Sequence, residues 1–491
     1  MRALEGLQPE KVFYYFEEIS KIPRGSYHEK AISDYLVEYA KQHDFTYCQD
    51  KLYNIVMQVP ASSGRENEDP VILQGHMDMV CEVRPGVDID MEKEPLQLLV
   101  DGDYVCAKDT TLGGDDGIAV AYMLAIADDE SVSHPPLEFI ITVSEEVGME
   151  GANGIDLSML NGHKMLNVDS EDEGVFTTSC AGGVSAHVTI PVTRSDVSEL
   201  IKGEDDKSYR LKRIIISGLK GGHSGTEIDK GRANSNKLLG RVLSELSGEA
   251  DYALAEVSGG KKDNAIPIRS EAVILTNEDI SDFLLRINKV LKNEYISCDP
   301  DIEVTVEDIN DSYNKSEISF LSADSKDKVI AYLCCVPDGV QNMSMSVPGL
   351  VETSLNLGIL KLFKDHLFAQ HAVRSSVTTR KEYVVKQLET LAYTLGGKVE
   401  CKGEYPAWEY REDSKVRETA VKLFEEMYGK KPVVEGIHAG LECGLLSAKI
   451  PNLDCISIGP DMNDIHTYNE RLSISSTKRV YEFLLRFLEE K

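Results

Sequence analysis

The run VILQGHMD, Val71 to Asp78, decides how this chain is read. Val71, Ile72 and Leu73 form a short apolar run of the kind that lies buried on both faces of a sheet. Gln74 and Gly75 close that strand, and His76-Met77-Asp78 follows. Side chains two apart on extended backbone point to the same side, so His76 and Asp78 project together just past a strand end. A metal-bound imidazole is held in this way, one ring nitrogen on the ion and the other fixed by a carboxylate. The same pair also occurs as a plain surface contact, so partners elsewhere must decide.

Four further stretches supply them. In LGGDDGIAVA, Leu112 to Ala121, Gly113 and Gly114 allow a tight turn and Asp115-Asp116 opens a strongly apolar helix. Acids in a first helical turn complement the helix dipole, which explains one Asp but not a pair after Gly-Gly. A carboxylate there can bridge two ions, and either Asp is a candidate. In LEFIITVSEEVG a strand, Phe139 to Val143, runs into Glu145 and Glu146. Neighbours on extended backbone face opposite ways, so one can bind metal while the other stays free as a base. KMLNVDSE gives a strand followed by Asp169, and DCISI, Asp454 to Ile458, is followed by His466 within NDIHTYNE. Strands ending near Gly75, Val143, Val168 and Ile458 thus each carry His, Asp or Glu past the edge where open α/β sheets bind ligands. Two imidazoles and three carboxylates suit a borderline metal such as zinc. Two ions sharing a carboxylate polarise a carbonyl and make hydroxide at neutral pH, which implies hydrolysis of an amide or ester.

The chain has 491 residues, 42% of them hydrophobic, enough for two domains or more. A formal net charge of −31 argues against nucleic acid or an anionic membrane as partner. No apolar run is long enough to span a membrane. The opening segment lacks a signal-peptide pattern. The 10 cysteines are scattered without a CxxC pair, which reads as a reduced, cytoplasmic chain; the sequon at Asn314 then reads as chance. Residues 1–22 read as one amphipathic helix, His28 to Gln42 as a second, Asn54 to Pro60 as a strand, and Cys81 to Lys108 as an acidic loop.

The ordered motifs HMD, GGDDG, SEEVGMEG, NVDSED, GGHSG and IHT resemble the co-catalytic zinc peptidases of the M20 family, and within them the branch of aminoacyl-histidine dipeptidases. The resemblance implies a three-layer α/β/α catalytic domain, residues 1–186 and 404–491, interrupted by an α+β lid domain, residues 187–403. It implies two divalent ions, zinc first and cobalt or manganese as substitutes. His76, Asp115 and Asp169 would hold one ion; Asp115, Glu146 and His466 the other. Asp115 is preferred over Asp116 as the bridge because LGGDD lines up with the family's LGADD. Asp78 would orient His76, and Glu145 would be the general base. A family Lys shortly after the bridge is replaced here by Gly117.

The middle of the chain reads as alternating strands and helices of two ferredoxin-like units. In the lid, His223 of GLKGGHSG would stabilise the oxyanion. Asn264, Arg374 and Gly440 would touch substrate, Arg374 by gripping a free carboxylate. His438 and Glu442 read as supporting or substrate-contacting groups. The expected reaction is hydrolysis of dipeptides, Xaa-His and β-Ala-His included. The rivals are a tripeptide aminopeptidase, an N-acyl-amino-acid deacylase, and a zinc-binding interaction protein without turnover. Small peptides are the expected partners; a homodimer through the lid and a monomer both fit a doubled lid.

Overall fold

The computed structural model describes residues 2–195, 209–310 and 318–490; Asn314 lies outside them. The chain forms two compact units. One comprises Met1–Cys180, Tyr410–Gly436 and Leu441–Lys491, the other Ala181–Glu409 and Ile437–Gly440.

The first unit is built on a sheet of eight strands. Its centre runs Leu137–Thr142, Val71–His76, Lys164–Asn167, Asp454–Ser457, all parallel. Ile55–Val59 and Val175–Cys180 flank them antiparallel, Thr46–Gln49 pairs antiparallel with Ile55–Val59, and Val433–Ile437 lies outside Val175–Cys180. All six residues of Val71–His76 and of Leu137–Thr142 are buried, which is why these strands read as continuous apolar runs. Val71 and Leu73 join a large core with helices Glu10–Ile19, Gly114–Ala127 and Ile474–Glu489. Ile72, equally buried, turns to the opposite face. Because the central strands are parallel, their C-terminal ends share one edge.

Three expectations are corrected. The first helix begins at Glu10; Gly6 at φ +86° and Pro9 at the cap break the helical run before it. The decisive strand is not closed by Gln74 and Gly75 but runs to His76, pairing Gln74, Gly75 and His76 with Ile140, Ile141 and Thr142. Gly75 is tolerated inside it because a side chain there would collide with the Asp116 carboxylate. The acidic loop contains a hairpin, Leu98–Asp101 with Tyr104–Ala107, turned by Gly102 at φ +61°. Its Gly-Asp turn was a legible signal, outweighed by the surrounding acids.

The second unit is built on a large sheet whose main path runs Glu303–Asp308, Arg210–Ser217, Ser270–Thr276, Ala253–Gly259, Val351–Leu362, His366–Ser375, Gly182–Pro191, Lys398–Tyr405. The first four strands, with helices Ser235–Leu246 and Ser281–Glu294, follow the chain order strand, helix, strand, strand, helix, strand. The last four do the same with helices Ala323–Cys335 and Thr378–Thr394. This is the doubled ferredoxin-like arrangement. One half is nested in the other, between its first strand, Gly182–Pro191, and its first helix. Within the sheet the halves join through two residue pairs, Ser258 with Lys361 and Gly259 with Leu360.

Candidate metal centre

Five donor side chains meet at the shared strand edge of the first unit. His76 closes its strand with 1% of its surface exposed. Its Nε2 lies 3.1 Å from Asp115 Oδ1 and 3.4 Å from Asp169 Oδ1. His466 Nε2 lies 3.1 Å from Asp115 Oδ2 and 3.0 Å from Glu146 Oε2. The two oxygens of Asp115 therefore face different imidazoles, each with a further carboxylate. Among the described residues no Lys or Arg forms an ion pair with these five, and Glu146 Oε1 is buried without a hydrogen-bond partner. Three carboxylates and two imidazoles converging without a Lys or Arg fit divalent metal. His76, Asp116 and Asp169 also come within 4.8 Å of one another. Asp116, however, is fully buried, and its Oδ2 already accepts the His76 N–H at 3.1 Å. Asp115 is the residue that reaches both imidazoles.

The field of the cluster shows in its titration. Burial opposes charge on His76, yet Asp115, Asp169 and Asp78 raise its pKa well above the ordinary imidazole value. Hydrogen bonds to Asp115 and Glu146 raise His466 to about 10. Burial lifts Asp169 to about 6 and pushes Glu145 well above the ordinary carboxylate range.

Asp78 organises the rim. Its carboxylate lies 3.3 Å from His76 Nδ1 and accepts the N–H groups of Glu145 and Glu146 at 3.1 and 3.4 Å and the Ser26 hydroxyl at 2.8 Å. Burial works against its ionised form, but these partners hold its pKa below the usual value. Glu29, buried, accepts both the N–H and the hydroxyl of Ser144 at 2.8 and 2.7 Å. It thereby fixes Ser144 at φ +51° just before Glu145. Glu442, expected to support or touch substrate, is fully buried; its Oε2 accepts from Gln74 and Thr142, each at 2.6 Å. Two more buried groups, Arg24 and Glu470, clasp the Asp115 turn. Sequence reasoning missed Arg24, Glu29 and Glu470.

Residues 72–490 match the model of the peptidase family M20/M25/M40. The chain belongs to this family. Cytosol non-specific dipeptidase of Escherichia coli K12 is 36% identical over 494 residues, covering 100% of this chain and 99% of the relative. The crystal structure of an aminoacylhistidine dipeptidase from Vibrio alginolyticus superposes with a TM-score of 0.91 at 34% identity, covering 99% and 97% of the two chains. An aminopeptidase structure from Bacillus cereus, 15% identical with a TM-score of 0.56 over 98% of each chain, shares the fold. As an M20 peptidase the protein is a hydrolase.

The remaining expected site residues of this M20 peptidase lie in its second unit. His223 Nδ1 accepts the N–H groups of Gly225 and Thr226 at 3.3 and 3.2 Å. That leaves its proton on Nε2, and burial with the nearby Arg374 cation lowers its pKa, keeping the ring neutral. Arg374 donates from Nη1 to the Tyr405 hydroxyl at 2.8 Å, while its Nε is buried without a partner. Arg374 and Asn264 line one cavity of about 120 Å³ with Asp263 and Tyr405. A Cβ on Gly225 would sit 3.0 Å from His223 Cε1, 3.2 Å from Arg374 Nε and 2.6 Å from the His438 carbonyl. His223, Arg374 and the segment leading to Gly440 thus crowd around one glycine. His438 Nε2 and the Ser354 hydroxyl share a hydrogen bond at 2.7 Å, a contact within this unit.

Proposed function

We propose that this M20 peptidase hydrolyses dipeptides, Xaa-His and β-Ala-His among them, using two divalent ions. The observation that carries the reading is Asp115, whose two oxygens each lie 3.1 Å from a different imidazole, with Asp169 3.4 Å from the first imidazole and Glu146 3.0 Å from the second. His76, Asp115 and Asp169 would hold one ion, and Asp115, Glu146 and His466 the other; zinc is the first candidate, with cobalt or manganese as substitutes. Bound there, the ions would polarise the scissile carbonyl and acidify water.

The chain's own groups do the rest. Asp78 keeps His76 in one orientation. Glu145, outside both triads, takes a proton from the attacking water and returns it to the leaving amine. Burial raises its pKa, and that makes the protonated form a usable donor. His223 presents Nε2–H to the developing oxyanion. Arg374 turns its unpartnered Nε toward the free carboxylate of the substrate, and the Tyr405 hydroxyl steadies the guanidinium. Asn264 and the backbone at Gly440 contact the peptide, and the inserted unit acts as a lid. Preference for C-terminal His is supported by the name of the Vibrio relative. A cytoplasmic location is supported by the name of the Escherichia coli relative. No described helix is long and apolar enough to cross a membrane.

The test is release of histidine from Ala-His, β-Ala-His, Ala-Ala-His and N-acetyl-His, with chelator and with added metal. Cleavage of the first two alone, lost with chelator and restored by metal, is expected. Cleavage of the tripeptide would move the reading to an aminopeptidase, and of the acetylated compound to a deacylase. No cleavage with metal bound would make the protein a binding module.

A further inference from the structure

We infer that Glu470 is a positioning residue that ties the Asp115 turn to the His466 segment and so sets the second ion site. The inference rests on the two-ion reading above. Glu470 has 2% of its surface exposed. One of its oxygens accepts the N–H of Leu112 at 2.7 Å and of Gly113 at 3.0 Å. The other accepts Gly114 at 2.8 Å and Asp115 at 3.3 Å. Four consecutive N–H groups thus converge on one carboxylate, an arrangement that favours an anion. Helix Gly114–Ala127 has no side-chain cap of its own at Gly113; Glu470 supplies it from more than 350 residues away.

The opposite edge of the turn is held by a cation. Arg24, 1% exposed, donates from Nη2 to the Gly113 carbonyl and from Nη1 to the carbonyls of Met77 and Asp78 at 2.9 and 3.1 Å. Arg24 thus fastens the turn to the segment bearing His76, and Glu470 fastens it to the segment bearing His466. The Gly-Gly pair fits this clasp. A Cβ on Gly113 would collide with Arg24, and one on Gly114 would come 3.2 Å from Glu470 Oε1.

His466 needs such an anchor. It is 46% exposed and sits at φ +59°, where a non-glycine residue is held only by its surroundings. Four residues on, the Glu470 N–H donates to Thr467 at 3.1 Å, and Arg471–Ser473 enters a small sheet beside Tyr104–Ala107. The separation of Asp115 Oδ2 from His466 Nε2 is therefore set across this one carboxylate.

The test is titration of metal-free wild type, Glu470→Gln and Glu470→Asp with Co²⁺, followed by calorimetry and by the visible absorption of each site. Glu470→Gln turns one oxygen into a donor facing two N–H groups. It is expected to weaken one of the two sites by about 10–100-fold while the other stays within about threefold. Excess metal should then restore kcat with KM unchanged. Glu470→Asp, which keeps the charge, should fall between Gln and wild type. Two sites of wild-type affinity in folded Glu470→Gln would overturn the inference, as would equal weakening of both. If the Gln variant does not fold, the Asp variant decides by the same criterion. A wild type that binds fewer than two ions would instead defeat the two-ion reading itself.

Discussion

Asp115 and Asp116 are adjacent and have different fates. Both oxygens of Asp115 face imidazoles, whereas Asp116 is sealed beneath the strand with Oδ1 unpartnered. Asp115→Ala is expected to lose both ions by metal analysis; retention of one tightly held ion would remove its bridging role. Glu145→Ala should abolish turnover while two ions per chain remain, because its carboxylate belongs to neither triad. Loss of metal would make it a ligand. Arg374→Ala should raise KM for free dipeptides at least tenfold more than for C-terminal amides, and an equal effect would exclude carboxylate recognition. His76 and Asp78 were legible because alternation on a strand is local. Arg24, Glu29 and Glu470 were not. Their meaning lies in backbone groups 53 to 358 residues away, and a lone acid or base in a polar loop carries no mark of such a partner.

Elements with one strong period or a sharp stop were read close to their true bounds, as with the helix expected from His28 to Gln42 and found at Lys30–Gln42. Strands Ala253–Gly259, Gly339–Met343 and Val433–Ile437 were not anticipated. The latter two contain no fully buried residue, so no apolar pattern marked them. Helix Ser235–Leu246 starts at Asn234, whose Oδ1 accepts the N–H groups of Asn236 and Lys237 at 3.0 and 3.4 Å. Its Nδ2 donates to Asp338 at 3.0 Å and to the Leu357 carbonyl at 3.2 Å. Asn234→Ala removes a cap and buried bonds together and should cost about 2 kcal/mol in urea unfolding. In strand His366–Ser375, His371 is fully buried and shares a 2.6 Å hydrogen bond with the Tyr332 hydroxyl. Burial, with the Lys237 cation second, drops its pKa to about 3. The unfolded chain takes that proton near pH 6.5, so the unfolded state binds more protons between those values. Stability is then complete above about 6.5 and falls as the pH drops towards 3. On the order of 2 kcal/mol should be lost between pH 7 and 5 from this group, and His371→Gln should show a shallower pH slope. An unchanged slope would mean that the buried imidazole is not what titrates.

At the scale of the molecule, the candidate centre and the ferredoxin-like halves belong to separate compact units. Removing divalent ions should leave Asp115, Glu146 and Asp169 facing one another with only the His76 and His466 imidazoles, drawn towards protonation, to offset them. Hydrogen exchange with chelator is expected to speed up in residues 112–116, 143–146 and 464–470 and to stay unchanged in Val351–Leu362 and His366–Ser375. Uniform acceleration would mean that the ions stabilise the whole chain rather than one edge of one sheet. The order of the central sheet also bears on how the protein is made. Strand Asp454–Ser457 lies between Lys164–Asn167 and Val175–Cys180, yet it leaves the ribosome roughly 270 residues after Cys180. At about 5–20 residues per second that slot stays open for roughly 15–55 s. Every strand on the path of the ferredoxin-like sheet emerges in that interval. The later-starting unit can therefore finish first, while the half-built sheet waits with a bare apolar edge, the state in which a nascent chain most needs a chaperone.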